Sequence, residues 1–141
     1  MQHKHNMAEM ATQLTKPFQT IVIEQVDDYS AILTRVEGSY IFHQHPRDEM
    51  YLVLEGEIMM DYPDGSSITL QQGESIVAQS GEKHRSRSDD GALVLIFRHR
   101  DCVYGPGRLG RIREAIKSNL TSIMENLPSI RENHPLRRHN D

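Results

Sequence analysis

The chain has 141 residues, of which 37% are hydrophobic and 26% are charged, and its formal net charge is −4 at pH 7. This length fits one domain with a sizeable core, and the composition is that of an ordinary globular protein. The negative net charge and the lack of a basic stripe argue against nucleic-acid binding, and no apolar run is long enough to span a membrane. The single cysteine, Cys102, favours a reducing compartment, so we predict a cytoplasmic protein.

The first 16 residues are polar and contain two alternating histidines, His3 and His5. Histidines at this spacing can form an accessory metal site, but a polar N-terminal segment is more often a mobile leader or a tag. No apolar group is expected to hold this segment in place. We therefore predict a mobile leader over residues 1–16, followed by a barrel domain over residues 17–100.

From residue 17 onwards, strand-forming residues alternate with short turn signals. The clearest hairpin signal is the Pro-Asp-Gly-Ser run at 63–66, because Asp-Gly tolerates the positive φ of tight turns. Breaks are also predicted at 37–39 and 89–91. Strands are predicted at 18–26, 29–36, 40–45, 49–54, 57–62, 67–70, 75–78 and 92–97. Short strands without intervening helices predict an antiparallel all-β sandwich or barrel.

The character of the chain changes after residue 100. An apolar stripe with three- and four-residue steps predicts an amphipathic α-helix, which ends before Pro128. The stripe consists of Leu109, Ile112, Ile116, Leu120, Ile123 and Leu127. Burial of each large aliphatic side chain is worth about 1.5–3 kcal/mol, so the stripe is expected to pack on its own barrel or across a dimer interface. We predict a helical extension over residues 101–130 and a mobile tail over 131–141.

Two of the histidines lie on alternate residues of an expected strand, His43 and His45, so their side chains project from the same face. A carboxylate, Glu49, follows just past the turn-like residues 46–48. A fourth candidate ligand, His84, lies in a second stretch with similar turn signals. Three neutral imidazoles and one carboxylate suit a divalent first-row transition metal, with iron, manganese, nickel, copper and zinc as the candidates.

The two stretches resemble the paired motifs of the cupin superfamily, and the resemblance spans about residues 18–98. The spacing of the first motif is met by His43, His45, Glu49 and Gly56, and that of the second by Gly73, Gly81 and His84. The chain departs from the motifs at three positions: Gly38 is one residue too close, Gln79 replaces a proline, and Ser88 replaces an asparagine. The resemblance implies a double-stranded β-helix, which is a jelly-roll barrel, with the C-terminal amphipathic α-helix added to it.

Many reactions share this fold, so the sequence leaves three kinds of function open. The first is a metal-dependent enzyme that acts on a small molecule, with a non-haem-iron dioxygenase-like activity preferred. The second is a metal-dependent isomerase or lyase of sugar-like or carboxylated substrates. The third is a non-catalytic small-ligand-binding or sensor module.

Two further residues are candidates for roles near the site. Strand parity with Glu49 places Tyr51 towards the lumen, either as a catalytic hydrogen-bond donor or proton carrier near the metal or as a packed core tyrosine. At the end of the last apolar strand, Arg98 is either an anion-binding residue or a solvated rim residue. A homodimer is also predicted, because cupins commonly pair their barrels and because Leu52 and Leu54 need cover.

Overall fold

Seven strands and two short helices are found in residues 2–103, the part of the chain that the computed structural model describes. The helices are α1 at Met7–Ala11 and α2 at Arg100–Val103. The strands are β1 at Thr20–Val26, β2 at Tyr29–Ser39, β3 at Glu49–Glu55, β4 at Glu57–Asp61, β5 at Ser67–Gln71, β6 at Ser75–Ala78 and β7 at Arg85–His99. The all-β jelly-roll prediction is confirmed, and the strands predicted at 49–54, 57–62, 67–70 and 75–78 each form within one residue of their expected bounds.

One predicted strand does not form as a strand. Residues 40–45 meet the start of β7 and the residues before it at three separate points. Tyr40 donates its backbone N–H to the carbonyl of Ser86, His43 forms an isolated antiparallel bridge with His84, and the carbonyl of His45 accepts from the N–H of Gly81. These separated links do not form a continuous ladder. The segment is therefore an irregular connection between β2 and β3 that backbone hydrogen bonds hold in place.

The long strand β7 organises the barrel. All strand pairs are antiparallel, and β2 runs beside β7 from Tyr29 opposite His99 to Ser39 opposite Arg87. The second half of β7 also pairs with β3, and its first three residues pair with β4. The sheet order is β1-β2-β7-β3-β6, with β4 and β5 joined to the start of β7. One strand thus links the two parts of the sheet.

The predicted breaks at 37–39 and 89–91 are wrong, because both stretches lie within strands. The register passes from Val36 opposite Ala92 to Gly38 opposite Ser88. Three residues of β7 therefore lie opposite the single residue 37 of β2, which is a bulge. Gly91 has a φ of +87° and Gly38 a φ of +75°. Glycines that resemble turn signals in the sequence here allow two long strands to bend without ending.

Inward-facing side chains of all strands except β1 form the main core, and partly buried Val22 of β1 packs against it. Alternate residues of β3 show the pattern clearly, because Tyr51 and Val53 are buried whereas Leu52 and Leu54 are half-buried on the opposite face. The core consists of Ile32, Val36, Tyr51, Val53, Ile58, Met60, Leu70, Ala78, Ala92, Val94 and Ile96. Tyr51 connects this core to the histidines, because its hydroxyl oxygen lies 3.4 Å from His84 Nε2.

A second apolar cluster lies on the outer face of the barrel and is covered by the N-terminal segment. Ala11 and Leu14 are buried against Leu33 of β2 and Leu93 of β7. Asn6 caps α1, because its side-chain oxygen accepts a hydrogen bond from the backbone N–H of Glu9. The structure thus differs from the expectation that nothing apolar holds residues 1–16 in place. The apolar face that α1 and the following turn present to the barrel was missed in the sequence.

Replacing Leu14 with alanine is expected to lower the free energy of unfolding by about 2–3 kcal/mol, because the side chain is 6% exposed and the truncation leaves a cavity. Urea denaturation followed by circular dichroism measures this loss. Gln13→Ala, at an exposed neighbouring position, serves as the control and should change little. Equal stability of Leu14→Ala and the native protein would support a mobile leader instead.

Cover for one face of β3 is therefore partly intramolecular, since Leu54 packs against the same outer cluster. The homodimer stays a prediction.

Within residues 2–103, no helix is both long and apolar enough to cross a membrane. The cytoplasmic location also stays a prediction. Residues from position 104 onwards lie outside the described part of the chain. The predicted tail at 131–141, and all but the first three residues of the predicted helical extension at 101–130, therefore stay predictions.

A charged network ties β4 to the first half of β7 on the outer surface. The carboxylate of Asp61 accepts hydrogen bonds from Arg85 Nε at 3.0 Å, Arg87 Nε at 2.9 Å and Ser67 Oγ at 2.6 Å. The Arg87 guanidinium, followed by Ser67 and Arg85, holds the pKa of Asp61 well below its ordinary value despite partial burial of the carboxylate. The folded state therefore favours the ionised form.

We expect Asp61→Asn to destabilise the protein by about 1 kcal/mol near neutral pH, a modest loss because solvent screens the two arginines. A depressed folded-state pKa stabilises the fold above the unfolded pKa of about 4, and this contribution disappears as the pH falls through the folded value. The difference in unfolding free energy between the native and variant proteins, measured by denaturation, should therefore become smaller below about pH 4. A gap that stays constant on acidification would contradict this, and Asp90→Asn, at an exposed site on β7, is the matched control.

Candidate metal centre

Two separate stretches of the chain are hydrogen-bonded directly to each other at the mouth of the barrel. The backbone N–H of His43 donates to the carbonyl of His84 at 2.9 Å, and the reverse bond has the same length. The carbonyl of His45 accepts from the N–H of Gly81 at 2.8 Å. Backbone pairing therefore brings the two predicted ligand stretches side by side.

The loop before His84 is held without the proline that the cupin motif places there. Ser80 donates its backbone N–H to Asp48 Oδ1 at 2.8 Å and its hydroxyl to the carbonyl of Pro46 at 2.7 Å. The N–H of Gln79, the residue in the proline position, donates to Glu82 Oε2 at 3.1 Å. These bonds replace the restriction on φ that proline would impose.

The other motif departure also has a structural partner. Ser88, which occupies the asparagine position, is 2% exposed and donates its hydroxyl to the carbonyl of Glu57 at 2.6 Å. This bond fastens the first half of β7 to the start of β4. Neither substitution removes a candidate ligand.

All four predicted ligands meet at one point. His43, His45, Glu49 and His84 each offer one nitrogen or oxygen atom, and these atoms lie within 4.8 Å of one another. The ring centre of His43 is 4.7 Å from that of His45 and 4.6 Å from that of His84. Glu49 and His84 are almost fully buried, at 2% and 1% exposure, whereas His43 is half-buried. The cluster is therefore more open on the His43 side.

Backbone carbonyls set the orientation of two of the imidazoles. His43 Nδ1 lies 2.8 Å from the carbonyl oxygen of Ile41, and His84 Nδ1 lies 2.7 Å from that of Glu82. Because a carbonyl oxygen only accepts, each Nδ1 carries the hydrogen in the neutral ring. The Nε2 atoms then present their lone pairs to the cluster, which is the arrangement found in metal-binding histidines.

The residues present fit a metal ion. Both ring nitrogens of His45 and Oε1 of Glu49 are buried and lack a hydrogen-bond partner. Buried polar atoms without partners are costly, so few persist in folded proteins without a reason. His45 Nε2 lies 3.2 Å from Glu49 Oε2, a close approach that lacks hydrogen-bond geometry. A cation held between the four side chains would satisfy these atoms.

The protonation states also suit metal binding. Burial, together with the neighbouring His45, lowers the pKa of His43 to about 4, and burial lowers the pKa of His45 as well. Burial acts to raise the pKa of Glu49, but the adjacent His45 ring and the Arg98 guanidinium outweigh it, and the pKa lies below its ordinary value. Neutral imidazoles and an ionised carboxylate are the ligand forms that bind transition metals.

Two predicted accessory residues lie beside the ligands. The hydroxyl oxygen of Tyr51 is 3.4 Å from His84 Nε2, and burial, with the nearby charge of Glu49, raises the pKa of Tyr51 well above its ordinary value. The phenol is therefore neutral, holds its proton and can donate a hydrogen bond. Arg98 lies opposite Glu49 in the β3–β7 ladder, and its Nη1 donates to Glu49 Oε2 at 3.2 Å. Arg98 is thus paired with one of the candidate metal ligands.

Two aromatic residues next to the cluster were missed as site residues. The rings of Phe18 and Tyr40 are 5.0 Å apart, and the ring of Tyr40 is 5.1 Å from that of His43. Both residues were assigned to strands, although Phe18 occupies a turn. A proline immediately before Phe18 was the available signal, because Pro is common at the second position of such turns.

The fold and the cluster together define a small jelly-roll barrel protein with a candidate metal site. A family model described as a cupin domain matches residues 35–98. The uncharacterized protein YdbB of Bacillus subtilis strain 168 is 30% identical over 101 residues, which cover 71% of this chain and 89% of the relative. The chain belongs to the cupin family.

Solved structures agree with this assignment. A cupin-2 domain protein from Shewanella frigidimarina is 29% identical with a TM-score of 0.65, and the match covers 68% of this chain and 94% of that protein. A hydroquinone 1,2-dioxygenase, PnpCD, in complex with Cd²⁺ and 4-hydroxybenzonitrile is 20% identical with a TM-score of 0.59, over 67% of this chain and 71% of the matched chain. The same enzyme is also solved with Fe³⁺. At this identity the second likeness concerns the fold alone.

Proposed function

We propose that this cupin is a metal-dependent enzyme that acts on a small molecule, with a non-haem-iron dioxygenase-like activity. The proposal rests on one observation above all: four ligand atoms converge within 4.8 Å, and two of the four residues, His45 and Glu49, carry buried atoms without a hydrogen-bond partner. A purely structural cluster of this kind would leave polar atoms unsatisfied at a cost to folding. Retention of the cluster is better explained by an ion that the protein uses.

The charges around the cluster favour a divalent ion that stays electrophilic. Glu49 supplies the one anionic ligand, and Arg98 draws part of its charge away through the contact at 3.2 Å. The three imidazoles are neutral donors. A divalent first-row ion in this setting would supply Lewis acidity and, if redox-active, electrons for oxygen chemistry.

The surrounding side chains have roles that do not depend on the identity of the ion. Tyr51 is buried and neutral, so it can donate a hydrogen bond to a group bound next to His84. The main core closes the barrel behind the cluster and keeps water from the rear of the site. Substrate would approach on the His43 side, because His43 is the most exposed of the four candidate ligands.

Solved structures of a dioxygenase with a similar fold support the choice of oxygen chemistry. The dioxygenase that is solved with Cd²⁺ or Fe³⁺ shows that a barrel of this architecture can serve oxygen chemistry. We do not assign the substrate of that enzyme to the present chain. The preference for iron over manganese, nickel, copper or zinc in the present chain is part of our proposal. So is the choice of an oxygenase over an isomerase or lyase.

The test combines metal analysis with oxygen uptake. Protein produced without metal supplementation is analysed for bound elements, then loaded anaerobically with Fe²⁺ and mixed with catechols, thiols and keto acids in an oxygen electrode. Oxygen consumption by the native protein, and its loss in Glu49→Gln, is the expected result. Turnover of a substrate without oxygen uptake would favour the isomerase or lyase. Ligand affinity that survives without metal and in His45→Ala would favour a binding module.

A further inference from the structure

An unusual backbone conformation lies beside the candidate metal centre. Lys16 to Gln19 form a tight turn, with the N–H of Gln19 donating to the carbonyl of Lys16 at 3.2 Å. Pro17 occupies the second position of the turn, and Phe18 occupies the third with a φ of +59°. This third position favours glycine or asparagine when φ is positive, because a side chain there is strained. A bulky phenylalanine at this point therefore calls for a reason.

The Phe18 ring points towards the barrel and meets the site through a row of rings. It packs against the main core, and its centre lies 5.0 Å from the Tyr40 ring at an interplanar angle of 40°. Tyr40 in turn meets His43 edge-on, with centres 5.1 Å apart and an angle of 87°. The separations fall in the range of attractive aromatic pairs. The row thus runs from the turn to the most exposed candidate ligand.

We propose that Phe18 and Tyr40 form a subsite for the planar aromatic part of a substrate whose oxygen atoms bind the metal. This inference rests on the proposed function, because the subsite lies next to the ligand cluster. Three observations point the same way: both rings are half-buried, the Tyr40 ring contacts that of His43, the most exposed candidate ligand, and Phe18 is held in a strained conformation. Strained residues concentrate at functional sites, where the surrounding structure maintains them.

The structure offers a simple way to separate an aromatic subsite from ordinary packing. Acetohydroxamate and benzohydroxamate carry the same metal-chelating group and differ in a methyl or a phenyl substituent. Their affinities for zinc-loaded protein can be compared by calorimetry, which involves no turnover. We expect benzohydroxamate to bind at least about tenfold more tightly to the native protein, because its ring packs against Tyr40 and Phe18.

The variants Phe18→Leu and Tyr40→Leu should reduce this preference to about threefold or less while changing the affinity for acetohydroxamate little. Phe18→Gly removes the ring and relieves the positive φ, so it provides a second variant if Phe18→Leu folds poorly. Phe97→Leu is the matched control. Its ring stacks on Tyr29 at 5.6 Å on the outer face of the barrel, so this variant should keep the native preference.

The outcomes distinguish the two proposals. An absent benzohydroxamate preference in the native protein, or an unchanged one in both Phe18 variants and Tyr40→Leu, overturns the aromatic subsite and leaves the proposed function in place. Failure of both hydroxamates to bind metal-loaded native protein would mean that the ion offers no position to a ligand. That result overturns the subsite and the enzymatic proposal together.

Discussion

Replacing His84 with alanine is expected to weaken metal binding by more than about 100-fold, because loss of a ligand exceeds the effect of losing the groups that merely orient one. His84 is 1% exposed and its ring lies between those of His43 and Tyr51. No other histidine in the described residues is placed to substitute for it in the cluster. Competition with a chromogenic zinc chelator measures the affinity directly.

The matched control is His99→Ala, which removes a histidine on the outer face, next to Tyr29. This variant should bind metal like the native protein. A thermal-shift assay gives a second measurement, because an ion that binds only the folded state raises the melting temperature and the rise should be absent in His84→Ala. Unchanged metal affinity in His84→Ala would show that the four residues do not form a common site.

The candidate site could be predicted because its information is local and repeated. His43 and His45 lie on alternate residues, and the spacings to Glu49 and within the second stretch match a known pair of motifs. The structure brings these atoms together through bonds between the backbones of His43 and His84, because the two stretches pair in an antiparallel register that sets these residues opposite each other. Side-chain chemistry and backbone pairing therefore agree.

The hairpin at residues 63–66 could also be predicted, since it uses the turn chemistry that the sequence shows. Tyr62 donates its N–H to the carbonyl of Ser66, and β4 pairs with β5 on either side. The Asp89–Gly91 stretch carries a similar signal but forms a bulge in β7. Positive φ at a glycine is needed by both a turn and a bulge, so composition alone does not separate them.

Features that depend on distant partners could not be predicted. Residues 40–45 form a strand only if a neighbouring segment makes successive backbone hydrogen bonds with them. The residues at the start of β7 and just before it make only a few such bonds. The fate of the N-terminal segment depends on an apolar patch around Leu33 and Leu93, far away in sequence. Phe18 reads as a strand residue because strand formers follow it. Its position near the site is seen only in the structure, where its ring contacts that of Tyr40 and the Tyr40 ring contacts that of His43.

The second large effect is expected at Gly56, which connects β3 to β4 with a φ of +83°. A Cβ at this position would lie 2.6 Å from the carbonyl oxygen of Gly91 and 3.1 Å from the Cα of Ala92. Gly56→Ala therefore adds a clash with the β7 bulge to the strain of a positive φ. The strain costs about 1–2 kcal/mol and the clash about 1–3 kcal/mol more, to be measured by urea denaturation.

Gly73→Ala is the matched control, because Gly73 has a φ of +86° and open space where its Cβ would lie. The two variants share the backbone strain, so the difference between their unfolding free energies isolates the approach of the β3–β4 turn to β7. The atom nearest the new methyl group is a backbone oxygen, which no rotamer change can move aside. We therefore expect Gly56→Ala to be the less stable of the two by at least about 1 kcal/mol, and equal losses would show that the bulge yields freely.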